Sequence, residues 1–211
     1  MRLLTGHWFM RHSFVAEGFG VRLRPVQLED AEFIVWLRHL ERAQGKLGDS
    51  AGDVASQEAW LRTYFERDGD YYFLVETLSG TPLGTHGLYG VRETSAEAGR
   101  LIIRPEAPAA VPTSFVTFDL AFDKMGFTEM RGTSIASNVK VHSYVEKFGF
   151  RKVRVESGGR VIAGEPVDIV HFAMSAAEWA QNRERVIPMA RYAEARVRAW
   201  DRKQVELREA K

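Results

Sequence analysis

The sequence predicts an α+β or mixed α/β layer architecture. Three observations lead there. Strand and helix signals follow one another in the order β-α-α-β-β-β-α-β-α-β-β between about Val21 and Met174. Turn signals, Ser79-Gly80-Thr81-Pro82 and the Gly-rich "GGRVIAGEP", join successive strand runs. From Ala176 onward strand signals stop and the chain is helical in character.

Val21, Leu23 and Pro25 alternate with Arg22 and Arg24, the pattern of a half-buried strand. Phe33, Ile34, Leu37 and Leu40 then recur at helical spacing. The stretch "GKLGDSAGD" reads as a loop, and "VASQEAWLRTYFERDG" as a second amphipathic helix ended by Gly69. "DYYFLVETLSGTPLGTHGLYGV" holds two β-rich runs around Ser79-Gly80-Thr81-Pro82, a hairpin signal. "EAGRLIIR" is the next strand, and Pro112 opens a helix over 112–125 that Gly126 stops.

"EMRGTSIAS" is a short strand and "NVKVHSYVEKF" a short helix, N-capped by Asn138 and closed by Gly149. "FRKVRVES" and "VDIVHFAMS" follow as strands, joined by the turn "GGRVIAGEP". Pro188 then divides the terminal helical region in two. The expected organisation is a domain at 1–175 and a helical extension at 176–211. The stripe Met189, Ala193, Val197, Trp200 and Leu207 on that extension suits packing on its own domain or a homodimer contact.

A chain of 211 residues, 45% apolar and 27% charged, can bury a core without staples. Cysteine is absent, which excludes disulfides, thiolate catalysis and zinc–sulfur sites. Twenty-nine basic and 28 acidic side chains leave a formal charge of +1, so no global field attracts nucleic acid. "MRLLTGHWFMRHSF" reads as neither signal peptide nor anchor, and no apolar run is long enough to span a bilayer. A cytoplasmic protein is expected. No histidine–carboxylate cluster has metal-ligand spacing, so no metal is expected.

"NVKVHSYVEKFGFRKV" resembles the closing motif of the GCN5-related N-acetyltransferases (GNAT), with Asn138, Glu146, Lys147, Phe148, Gly149 and Phe150 in the family's spacing. "LRPVQLEDAEFIVWLR" resembles the family's opening strand and helix, and "AEAGRLIIRP" its fourth strand. The series "LGDS…QEAWL…YYFLVE…GTHGLYGV…GRLIIRP" is similar to a narrower branch that acetylates amino groups of nucleotide-linked amino sugars.

The resemblance implies a mixed, mostly antiparallel central sheet with helices on both faces. The strands "GRLIIR" and "MRGTSIAS" would be parallel neighbours that splay apart. It implies acetyl-CoA as co-substrate, its peptide-like arm pairing with the open strand at Ile102, Ile103 and Arg104. The diphosphate would rest on Ala107, Ala109 and Ala110 at the helix start. Asn138, His142 and Lys147 complete the implied cofactor set.

That loop departs from the family, which usually has glycines there. "RPEAPAAVPTS" has none, Pro108 removes an N–H donor, and Glu106 brings negative charge towards a diphosphate.

The reaction needs an amine deprotonated, an oxyanion stabilised and a thiolate protonated. Glu97 stands where the family often has a base, and His86 is a second candidate acting through water. The family's general acid is a Tyr seven residues after the Asn. Here Val145 holds that position; Tyr144 precedes it, about 100° away around a regular helix, and is the candidate acid if the helix is shifted or irregular. Arg38, His39, Trp60, Tyr71 and Tyr72 are the acceptor candidates, because Arg suits a diphosphate and aromatic rings suit a base or sugar face. The leading reading is acetylation of a nucleotide-activated amino sugar. A protein N-terminal acetyltransferase of the ribosomal-protein type and a non-catalytic acyl-CoA-fold module are the alternatives.

Overall fold

The computed structural model describes residues 12–43 and 52–210. The expected loop at 45–51 and most of the N-terminal stretch, residues 1–11, lie outside the described residues.

The strands β1 (Ala16–Gly18), β2 (Val21–Pro25), β3 (Tyr71–Thr77), β4 (Pro82–Arg92), β5 (Ser95–Ile103), β6 (Glu129–Ile135), β7 (Arg151–Ile162) and β8 (Glu165–Ser175) form one sheet among the described residues. Its order is β1-β2-β3-β4-β5-β6-β8-β7. Every neighbouring pair is antiparallel except β5 and β6. That parallel pair holds only from Ser95–Glu97 against Glu129–Arg131. Beyond it β6 stays with β8 to Ile135 and β5 stays with β4 to Ile103, so the strands part. The mixed sheet with a splayed parallel pair is thus present.

Helices α1 (Ala31–Ala43) and α2 (Val54–Tyr64) cover one face, with Val26, Ile34, Leu61, Tyr64 and Tyr72 as their core. Asp53 caps α2 by accepting from the Ser56 N–H at 2.7 Å. Helices α3 (Ala110–Asp119), α4 (Val139–Lys147) and α5 (Ala176–Glu209) belong to the other face. Its centre is an aromatic cluster in which Phe115, Phe118 and Phe148 lie 5.2–6.3 Å from the ring of Trp179. Tyr71 and Phe73 also belong to this larger core, so alternation along β3 puts Tyr71 and Tyr72 on opposite faces.

Four expectations are corrected. A strand precedes Val21: β1 turns into β2 through Phe19 and Gly20, both at positive φ (49° and 78°), a tight hairpin turn. The helix expected from Pro112 begins at Ala110 and ends in a π-helical turn over Leu120–Lys124, in which the Met125 N–H reaches the Leu120 carbonyl.

The turn expected over "GGRVIAGEP" is mostly strand. The chain reverses at Ala163-Gly164, and Gly158-Gly159 fall in a bulge between Glu156 and Arg160. Lastly, α5 runs unbroken through Pro188. A proline inside a helix costs about 3 kcal/mol. Trp179 and Val186 before it, and Ala190, Ala193 and Val197 after it, are all buried and hold both halves against the domain. Ala193 and Val197, offered above for a homodimer contact, are therefore covered within the chain. Met189 and Leu207 of that stripe remain exposed.

Candidate active site

Glu97 and Arg131 are the last paired residues of β5 and β6, so the Glu97 carboxylate lies at the fork where the strands separate. It accepts from the hydroxyls of Tyr89 and Thr133, each at 3.2 Å. Burial, and next the charge of Glu97, push the Tyr89 phenol up to about 12, so it remains a donor at neutral pH. Glu97 lies inside β5, which starts two residues earlier than the expected "EAGRLIIR", at Ser95.

A cleft of about 450 Å³ opens beside Glu97 on the sheet face that carries α1 and α2. Arg92, Arg131, Arg151 and Arg154 line it, with Thr133 and His171. Arg151 pairs with Glu178, and Arg154 with Glu156. Arg131 donates to the Gly90 carbonyl at 2.9 Å, while its Nε is buried with no hydrogen-bond partner. Arg38, expected in the acceptor site, likewise has a buried Nε with no partner. A buried donor without an acceptor is costly. His39 is exposed.

Beyond Glu97, β5 has no partner on its β6 side, so Ala98–Ile103, including Ile102 and Ile103, form an open strand edge. Arg100 sits in this stretch at φ 56°, in a bulge where the register with β4 shifts. Its guanidinium makes a fork with Asp70 at 2.5 and 2.9 Å. The rings of Tyr89, Tyr72 and Trp60 surround it at 4.4, 5.3 and 5.4 Å. Burial opposes its charge. Asp70 outweighs that, with Tyr72 and Tyr89 helping, and holds the group above its ordinary value.

This corrects the acceptor set. Trp60 and Tyr72 enclose the protein's own arginine, and Trp60 also stacks on Tyr64, centroids 5.6 Å apart. Tyr71 lies on the far face against Phe14 and Phe127.

The loop after β5 folds on itself. The Ala107 N–H bonds the Arg104 carbonyl and the Ala109 N–H bonds the Ala107 carbonyl, so neither is free for a phosphate. Both side chains are buried. Thr113 N–H bonds Ala109, and Pro112 has no N–H. Among the described residues the free backbone donors at the start of α3 are those of Ala110 and Val111. Glu106 does not oppose an anion there as expected, because Arg104 neutralises it at 2.6 Å. The Arg104 guanidinium also lies over the rings of Trp36 and Trp200, at 5.2 and 5.0 Å.

The remaining candidates have structural partners. His86 is 3% exposed and its Nδ1 lies 2.8 Å from Thr117 Oγ1. The Thr117 hydroxyl donates to the Thr113 carbonyl, so Nδ1 carries the proton and Thr117 accepts it. Burial pulls the His86 pKa down to about 4. It faces α3 rather than the acceptor cleft. His142 is buried against Phe172, its Nε2 3.1 Å from the Ile135 carbonyl. Tyr144 donates to the Ala110 carbonyl at 2.9 Å and lies 2.8 Å from Ser114 Oγ, and burial raises its pKa. It ties α4 to the first turn of α3. Asn138 caps α4 by accepting from Val141 N–H, and Lys147 is exposed at that helix's other end.

Tyr89, Arg100, Arg131 and Thr133 were missed by the sequence reading. Each sits in a strand the sequence marks, but only the pairing of β5 with both β4 and β6 brings them together. Among the described residues, no group of His, Cys, Asp or Glu could hold a metal ion, and no helix is long and apolar enough to cross a membrane.

The fold, with its forked parallel pair, is that of GNAT-family N-acetyltransferases, and solved structures similar to the chain include several of them. FdhC, a nucleotide-linked sugar GNAT solved without ligand, is 26% identical over 86% of this chain and 99% of its own, with a TM-score of 0.71. RimJ from Mycobacterium smegmatis, solved in complex with CoA-disulfide, is 19% identical over 86% and 97%, TM-score 0.72. A variant of SpeG, the spermidine N-acetyltransferase of Vibrio cholerae, is 17% identical over 77% and 98%, TM-score 0.69. No protein-family model and no curated protein matches the chain.

Proposed function

We propose that the chain transfers acetyl from acetyl-CoA to the amino group of an anionic acceptor, a nucleotide-linked amino sugar. The observation that carries this reading is the arginine-lined cleft around Glu97. Arg92 and Arg131 line it without an ion pair among the described residues, and favour a ligand with phosphate oxygens over a polycation such as spermidine. FdhC, named as a nucleotide-linked sugar GNAT, supports the same acceptor class.

The open edge of β5 suits a peptide-like arm, and an arm laid along it towards the fork would end beside Glu97. The N–H groups of Ala110 and Val111 suit a diphosphate. Glu97 takes the proton from the acceptor amine, directly or through water. The amine nitrogen then bonds to the thioester carbonyl carbon, the carbon–sulfur bond breaks, and the surplus proton on that nitrogen passes, directly or through water, to the departing sulfur, which leaves as a thiol. Tyr144 is a positioning residue, because its hydroxyl is spent on Ala110 and Ser114.

The test is mass spectrometry after incubation with acetyl-CoA and three acceptors: nucleotide-linked amino sugars, spermidine and a peptide with a free N-terminus. Acetylated amino sugar is expected. Acetylation of spermidine or the peptide alone, or of none, would overturn the reading.

A further inference from the structure

A second cavity, of about 720 Å³, lies between the loop after β5 and the middle of α5. Pro108 walls it on one side and Met189, Tyr192 and Arg196 on the other. Ala110 and Val111, which carry the free N–H groups, line the same space. Residues 189, 192 and 196 are spaced three and four apart, so they form one stripe along the helix. This stripe is not core: Tyr192 is 69% exposed and Met189 37%.

Arg196 lies over the Tyr192 ring at 5.8 Å. Among the described residues it has no carboxylate partner, whereas Arg183 and Arg198 of the same helix pair with Asp119 and Glu194. Arg104, the other cation at the cavity, is already neutralised by Glu106.

We infer that α5 supplies the adenosine end of the acyl-CoA site, with Tyr192 and Met189 taking the adenine and Arg196 the 3′-phosphate. This rests on the acyl-CoA reading above. A diphosphate held at Ala110 and Val111 leaves an aromatic base and a phosphomonoester to be accommodated. The cavity is lined by those two residues and has the volume of a small-molecule site. It offers an aromatic ring and a thioether for a purine, and an unpaired guanidinium for a phosphate. The helix that braces the domain thereby becomes part of the co-substrate site.

Calorimetric titration of the full chain with CoA and with 3′-dephospho-CoA tests this. The wild type is expected to bind CoA about tenfold more tightly than dephospho-CoA, in line with a charge-assisted contact to an exposed phosphate. Arg196→Ala should erase that preference and leave dephospho-CoA affinity unchanged. Tyr192→Ala should weaken both ligands about equally, by several-fold. Both side chains are exposed, so melting temperatures should match the wild type. An Arg196→Ala protein that keeps the preference, or a Tyr192→Ala protein with wild-type affinities, would overturn the inference alone. A wild type that binds neither ligand would overturn the acyl-CoA reading and this inference with it.

Discussion

Glu97 and Arg131 face one another as the last register pair of the parallel strands, a carboxylate and a guanidinium at the point where the sheet forks. The proposed base and a cleft-lining cation thus come from adjacent strands. The open edge of β5 leads to the same point.

Replacing Glu97 by Gln keeps the shape and removes the base. The expected result is a fall in kcat of about 10²-fold or more, the usual scale of general-base catalysis, with the KM for acetyl-CoA little changed. Tyr89→Phe removes only one of two hydroxyl donors to that carboxylate and should cost about tenfold or less. Steady-state rates of thiol release measure both.

Tyr144→Phe separates a latch from an acid. Loss of its bonds to Ala110 and Ser114 should lower stability by about 1 kcal/mol in urea unfolding. The drop in kcat should stay within about tenfold. A loss of several hundredfold with unchanged stability would make Tyr144 the general acid after all.

His86 makes stability depend on pH. Its folded pKa, about 4, lies below the ordinary value of 6.5. Between those values the unfolded chain binds a proton that the native chain does not. The contribution is therefore fully present above about pH 6.5 and is lost as pH falls towards 4, about 3 kcal/mol in all. Urea midpoints should drop over that window in the wild type. They should drop less in His86→Gln, whose amide can still reach Thr117 but does not titrate.

The terminal helix is integral to the core. Trp179→Ala removes a side chain 2% exposed and its bond to Asp119, and should cost about 3–5 kcal/mol. Ending the chain at Ser175 should give a protein without a cooperative unfolding transition. A stable, cooperatively folding 1–175 fragment would show that α5 is an appendage.

The helical stripes and the alternating strands could be read from the sequence because each depends on a local period. β1 was missed because three residues are too few to show one. The continuity of α5 past Pro188 was hidden because buried residues on both sides of the proline override its local preference. Within the candidate site, the strand that carries Glu97 was readable. The use of Trp60 and Tyr72 was not, because Arg100, which they enclose, lies on β5 and turns inward only through its bulge. The glycine-free loop misled in a similar way. Its sequence suggests alanine N–H groups open to a ligand, yet Ala107 and Ala109 spend theirs inside the loop, and the free donors shift to Ala110 and Val111.

The acyl-CoA reading depends on those two donors holding a diphosphate at the start of α3. Calorimetric titration of the purified protein with acetyl-CoA, alongside S-acetylpantetheine, which lacks the diphosphate, asks this directly. The account predicts micromolar binding of acetyl-CoA and far weaker binding of S-acetylpantetheine. No binding of acetyl-CoA at millimolar concentration would contradict it and leave a GNAT-like fold without acyl-CoA chemistry.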